Sequence, residues 1–191
     1  MQFGHMQFTT FGNNSREGSY LLLIDLRAPV RLSFGRFMGG REMPLGRGSY
    51  LYVGSALGSR KGAWPLASRL LRHASRSAEK PPHELREGLL GYFRSAGFDS
   101  KPGSAGKRLH WHIDHLLDLP EAELAHVVMV AGPERLEHRL AELAASMPGV
   151  SPVAEGLGAQ DATTGTHLFK VDDPEELLGR LKMTLPGLLP S

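Results

Sequence analysis

From Tyr20 to Leu26 the chain is apolar except for Asp25, a run that suits a buried strand and is too short to span a membrane. Val30 to Phe34 alternates apolar and polar side chains, and Ala28-Pro29 supplies a turn, so the two runs predict a β-hairpin. Residues 35 to 47 hold four glycines and Pro44 and predict a connecting loop before a third strand over Gly48 to Val53. After a loop over Ser55 to Ala63 the period changes to that of a helix. Pro65 fits a first helical turn, and Leu66, Leu70 and His73 recur at helical spacing with Arg69 and Arg72 beside them. A second helix is predicted from His83 or Glu84 to about Ala96, with Leu85, Leu89, Leu90 and Phe93 on one face and Gly97 as its stop.

The second half repeats the strand and helix alternation. Residues 97 to 108 predict a mobile loop and His110 to Leu117 a short helix. Ala125 to Ala131 predicts a strand. Glu134 to Ala145 predicts a helix with Leu136, Leu140 and Leu143 as its core stripe. Residues 146 to 166 read as irregular, His167 to Val171 as a last strand, and Asp172 to Met183 as a capped helix. Residues 1 to 16 show no sustained period and read as a loose tail or a short added strand.

Composition narrows the class. A chain of 191 residues with 41% hydrophobic and 22% charged residues suits one globular domain. The absence of cysteine rules out a disulfide framework and a thiolate metal site. Neither end shows a signal-peptide core, so a cytoplasmic protein without a membrane segment is expected. The net charge of +2 conceals an uneven distribution: residues 60 to 108 carry eleven Lys and Arg against four acids, whereas residues 109 to 191 carry five against thirteen. A basic middle segment can track a phosphate backbone, and it can equally be a solvated helix face.

Candidate chemistry starts with the tyrosines. Of the four in the chain, Tyr20, Tyr50 and Tyr52 lie in Gly18-Ser19-Tyr20 and Tyr50-Leu51-Tyr52-Val53-Gly54. A buried phenol needs a hydrogen-bond partner, and an adjacent glycine admits a close neighbour. A strand tyrosine more often packs with a satisfied hydroxyl than it does chemistry. Arg69 and Arg72 compete for any anion-binding role on their helix, and Glu134, Glu137 and Glu142 do so for a carboxylate role. His110, His112, Asp114 and His115 cluster within six residues. His112 and His115 share one helix face and His110 pairs with Asp114 on another, so packing around Trp111 and Ile113 is favoured over a closed metal site.

Taken in order, Gly18-Ser19-Tyr20, Tyr52-Val53-Gly54 and Arg69-Leu70-Leu71-Arg72-His73 resemble the paired tripeptides and arginine helix of the GIY-YIG endonuclease superfamily. Tyr52-Val53-Gly54-Ser55-Ala56, His110-Trp111-His112-Ile113-Asp114, Glu137 and the stretch from Gly158 to His167-Leu168-Phe169 are similar to its Uri-type branch. The resemblance spans roughly residues 18 to 171. It implies an α/β (α+β) domain with a small central three-stranded antiparallel sheet flanked by helices, and metal-dependent hydrolysis of nucleic-acid phosphodiesters. By position it assigns catalytic roles to Tyr20, Tyr52, Arg69, His73 and Glu137, with Glu137 holding Mg²⁺ or Mn²⁺. Gly54, Ser55, Arg72 and His112 would contact substrate, and Asp114 would neighbour the site.

Those residue types suit the reaction. Phosphodiester cleavage needs charge neutralisation and in-line positioning more than a strong nucleophile. Mg²⁺ is commonly held by one or two carboxylates, and an arginine fork clamps non-bridging oxygens. Tyr20 would take a proton from water once neighbouring cations lower its pKa. Two departures stand out. Ser19 replaces an apolar middle residue, and Asp161-Ala162-Thr163-Thr164 stands where the branch often carries Asp-Cys-x-Cys.

The expected organisation is therefore a flexible tail or added strand over 1–16, a nuclease-like domain over 17–172 with an insertion at about 75–107, and a C-terminal helix and tail over 173–191. The expected function is DNA cleavage in repair or recombination. The alternatives are a nucleic-acid-binding module without cleavage and a protein-interaction domain.

Overall fold

A computed structural model describes residues 7–58, 62–99, 107–157 and 165–189. Parts of the loop expected over 97–108 and of the Gly158 to Phe169 motif, including Asp161 to Thr164, lie outside the described residues.

The strand over the first apolar run, β2 (Gly18–Leu26), organises the molecule, with the short strand β1 (Phe8–Gly12) before it. Tyr20, Leu22, Ile24 and Leu26 point into one hydrophobic core, and Leu21 and Leu23 into another on the opposite face. A strand buried on both faces sits in the interior of a sheet and needs a hydrogen-bonded neighbour on each edge. That requirement overturns the small three-stranded antiparallel sheet and the hairpin expected from the sequence. The chain instead builds a mixed six-stranded sheet in the order β1-β6-β2-β5-β8-β7 and a separate two-stranded sheet.

The second sheet consists of β3 (Val30–Ser33) and β4 (Glu42–Leu45), joined by a segment containing a short 3-10 turn over Phe37–Gly40. The alternating run after Ala28-Pro29 thus pairs forward and leaves β2 free. Its place beside β2 is taken by β5 (Gly48–Ala56), antiparallel from Gly18 opposite Ala56 to Leu26 opposite Gly48. On the other edge lies β6 (Ala122–Ala131), antiparallel with an irregularity between Leu23 and Ile24. The strand β1, drawn from the segment read as a loose tail or a short added strand, adds to β6 in parallel. Beyond β5 come β8 (Leu168–Val171) and the outer β7 (Val150–Pro152).

Three helices cover the Tyr20 face: α1 (Pro65–His73), α2 (Arg86–Ser95) and α3 (His112–Leu117). The other face is covered by α4 (Glu137–Ala145) and α5 (Pro174–Thr184). Pro65 occupies the first turn of α1, and α5 starts with Pro174 after an Asp173 side chain that accepts the Glu176 N–H at 2.9 Å. Among the described residues no helix is long and apolar enough to cross a membrane.

Leu22 is fully buried at the centre of the Tyr20 face. Leu22→Ala is expected to lower unfolding stability by about 2–5 kcal/mol with an unchanged denaturant slope, read by urea titration.

Candidate active site at one end of the sheet

Tyr20 lies directly opposite Gly54 in the β2–β5 ladder. A Cβ on Gly54 would come within 2.6 Å of the Tyr20 ring and hydroxyl, so glycine is required there because the phenol lies flat on the neighbouring backbone. The close approach anticipated at this glycine is therefore made by Tyr20 itself. Tyr52 packs nearby, its ring 6.4 Å from that of Tyr20.

The Tyr20 hydroxyl is 2.9 Å from His73 Nε2, on the last turn of α1. Burial, and next the neighbouring Tyr52, push the Tyr20 phenol well above 10, although Arg69 pulls it down. The depressed tyrosine expected from the sequence is thus replaced by a protonated one. Burial likewise lowers the His73 pKa to about 4, with Asp114 opposing and Lys107 and Arg69 assisting. At neutral pH His73 is an uncharged acceptor, and Tyr20 donates to it.

Behind His73 stands Asp114, fully buried in α3. Its Oδ1 lies 3.5 Å from His73 Nδ1, close enough for electrostatic pairing but without hydrogen-bond geometry, and 3.8 Å from Lys107 Nζ. Its Oδ2 accepts from Arg72 at 2.8 Å and from the backbone N–H groups of His110 and Trp111 at 2.9 and 3.1 Å. Burial alone would raise the Asp114 pKa, but His73, the His110 N–H and Lys107 outweigh it and hold the carboxyl well below the usual range. The result is a succession of contacts, Tyr20 to His73 to Asp114, ending on a carboxylate that stays ionised.

The two candidate arginines separate cleanly. Arg72 is committed to Asp114 and to the Arg108 carbonyl. Arg69 stacks its guanidinium 3.7 Å over the Trp111 ring and makes no hydrogen bond or ion pair among the described residues. Its planar fork is therefore available to an anion.

Glu137 approaches from the opposite layer, in the first turn of α4. The helix starts three residues later than predicted, after Leu136, whose N–H donates to Ser19 Oγ at 3.1 Å. Ser55 donates to Glu137 Oε2 at 2.6 Å, and His167 Nδ1 lies 3.0 Å from Oε1. Burial raises the Glu137 pKa, and His167, Ser55 and Arg135 more than offset it, so the carboxyl titrates below its usual range. Glu142 pairs with His138 on the surface, and Glu134 is exposed. Glu137 is thus the inward carboxylate at the strand ends that carry Tyr20 and Ser55.

The array brings together Tyr20, Tyr52, Gly54, Arg69, Arg72 and His73, while Glu137 and Ser55 form a second group reached from the α4 layer. The His112 ring packs 5.6 Å from that of Phe37. The sequence alone read Trp111 as a packing residue and gave Lys107 and His167 no chemical role. For His167 the signal was present in the His-Leu-Phe ending and for Trp111 in the His110 to Asp114 motif, although its stacking under Arg69 is a tertiary contact; for Lys107 it exists only in the tertiary contacts.

Among the described residues no group of three or more His, Asp or Glu side chains could hold a metal. A hydrated divalent cation asks for less. Glu137 is ionised, and each of its oxygens retains a lone pair beyond its contact to Ser55 or His167. That donor set fits an ion that keeps most of its waters.

A model of the family described as domain of unknown function DUF123 matches residues 19–188. No curated protein and no solved structure matches the chain.

The buried array can be tested by substitution and by pH. Gly54→Ala is expected to displace the Tyr20 ring and cost about 1–3 kcal/mol in a denaturant titration. For the pH arm, His73 and His83 both have pKa values lowered by burial to about 4, from 6.5. Between those values the unfolded chain binds more protons than the folded one, so stability drops as pH falls through that window. For His73 the loss is on the order of 3 kcal/mol. Tm should decline steadily from pH 7 to pH 4; a flat profile would contradict the assignment of buried neutral imidazoles.

Proposed function

This chain belongs to the DUF123 family, and we propose that it is a metal-dependent endonuclease of the GIY-YIG superfamily, Uri-type branch, that hydrolyses phosphodiester bonds of DNA in repair or recombination. The observation that carries the reading is the Tyr20 hydroxyl donating to a neutral His73 that is backed by Asp114, beside an Arg69 left unpaired among the described residues. The six-stranded scaffold is compatible with this reading, because Tyr20 lies near the end of β2 opposite Gly54 of β5, Arg69 and His73 lie on α1 and Asp114 on α3, all on that face of the sheet.

In the proposed reaction a water attacks phosphorus in line with the leaving 3′ oxygen. The water proton passes to the Tyr20 oxygen as the Tyr20 proton moves to His73 Nε2, and the imidazolium so formed faces the Asp114 carboxylate. The P–O3′ bond breaks, and the departing oxygen is protonated by solvent. Arg69 binds the non-bridging oxygens, whose charge grows in the transition state. Glu137 would hold Mg²⁺ or Mn²⁺, which when bound supplies Lewis acidity to the phosphate. Arg72 and Lys107 keep Asp114 ionised and fix its position.

A second reading, a nucleic-acid-binding module that does not cleave, is favoured by one observation. Tyr20 is only 1% exposed, and that burial also pushes its phenol pKa up, away from a role as base.

Incubation with single-stranded, duplex and branched DNA separates the two. Nicking in Mg²⁺ or Mn²⁺ that EDTA abolishes is expected, with Tyr20→Phe and His73→Ala each slowing it by roughly 10²–10⁴ and Glu137→Ala removing its metal response. Salt-sensitive binding with no cleavage by the wild type would establish the binding module instead.

A further inference from the structure

We propose that the cavity beside β1 is a binding pocket for an unstacked nucleobase of a single-stranded segment, next to the reacting phosphate; this rests on the nucleic-acid reading above. The cavity has a volume of about 500 Å³ and is walled by Asn13, Asn14, Arg16, Trp64, Tyr92 and Met129, among others. That volume falls in the range of small-molecule sites, which combine apolar and aromatic walls with a few polar groups.

Phe11, Trp64, Tyr92 and Phe93 supply its aromatic wall, and Phe8 and Phe98, outside the lining, link these rings into a cluster. Tyr92 packs on Phe8 and on Phe93 at 5.2 and 5.3 Å between ring centroids, Phe93 on Phe98 at 6.3 Å, and Phe98 on Trp64 at 5.8 Å. Tyr92 is nonetheless 38% exposed, an uncommon state for a ring in such a cluster. Planar bases stack on faces of this kind regardless of sequence.

The polar groups suit the rest of a nucleotide. Arg16 places its guanidinium 4.4 Å over the Trp64 ring, and it makes no hydrogen bond or ion pair among the described residues. The Asn14 amide side chain, exposed at the rim, is likewise without a partner among them. An amide offers both a donor and an acceptor to a base edge, and a free guanidinium offers a fork to a phosphate.

Position ties the pocket to the candidate active site. Met129, in the pocket wall, is the direct partner of Tyr20 across β2 and β6. Neighbouring strands lie about 5 Å apart, so wall and array are separated by one strand. The pocket also contains Leu66 of α1, whose N–H donates to the Arg16 carbonyl at 3.0 Å, and α1 carries Arg69 and His73 onward to the array. A strand of nucleic acid with one phosphate at Arg69 would bring an adjacent base to this opening.

The test compares affinities in EDTA for a single-stranded oligonucleotide and for a duplex of the same length, using DNA and RNA arms. Tyr92→Ala is expected to weaken single-strand binding roughly tenfold or more with duplex binding unchanged. Arg16→Ala should weaken it and make the salt slope shallower by about one. Photocrosslinking of a 5-iodouracil-labelled single strand to the unaltered protein should give adducts at Trp64 or Tyr92, a readout independent of whether Tyr92→Ala folds. Unchanged single-strand binding by both variants, equal losses on both substrates, or adducts confined to other residues would overturn the pocket while leaving the nuclease reading intact. A wild type that binds no nucleic acid would overturn both.

Discussion

A charged carboxylate with no solvent exposure sets the terms for the Tyr20 side of this protein. Left unpaired, the buried Asp114 would be strongly destabilising, so it must gather donors from wherever the chain can supply them. Arg72 and His73 come from α1, two backbone N–H groups from the turn before α3, and Lys107 from the segment before that. Satisfying one ion thereby fixes how α1 meets α3. It also fixes where His73 stands relative to Tyr20, and it leaves Arg69, one turn earlier, stacked on Trp111 with its fork unused among the described residues.

The Glu137 side depends on a different anchor. Just before the apolar run of β2, Ser19 supplies a hydroxyl that accepts the Leu136 N–H, an end group of α4 that no intrahelical carbonyl can satisfy. This serine thus acts structurally, by setting the start of the helix whose first turn carries Glu137.

Local patterns in the sequence revealed the elements but not their partners. The apolar run of β2, the helical spacing of Leu66, Leu70 and His73, and the proline and aspartate that start α5 are properties of short segments, and the structure has elements there. The sheet was misjudged because Ala28-Pro29 looks like a hairpin turn, whereas the two-sided burial of β2 demands neighbours from far along the chain. Arg69 and Arg72 could not be ranked from the helix alone, since the residue that claims Arg72 is 42 positions away. Gly54 was legible as a close-approach residue, but what approaches it is a tyrosine ring.

The pairing of β2 with β6 has a bearing on how the chain acquires its shape. Ser19 and Leu136 touch across 117 positions, as do Thr9 and His126. Contacts of such long range must close a large loop before they return any free energy, which places the protein among slower-folding topologies. During synthesis, β2 emerges long before β6, and until then one edge of a strongly apolar strand lies open. The exposed intermediate is an aggregation hazard of the usual unpaired-edge kind. Tyr20 is made early, yet its environment exists only after Asp114 and β6 have arrived, so a truncated or half-folded chain would carry the signature tyrosines without the array that gives them meaning.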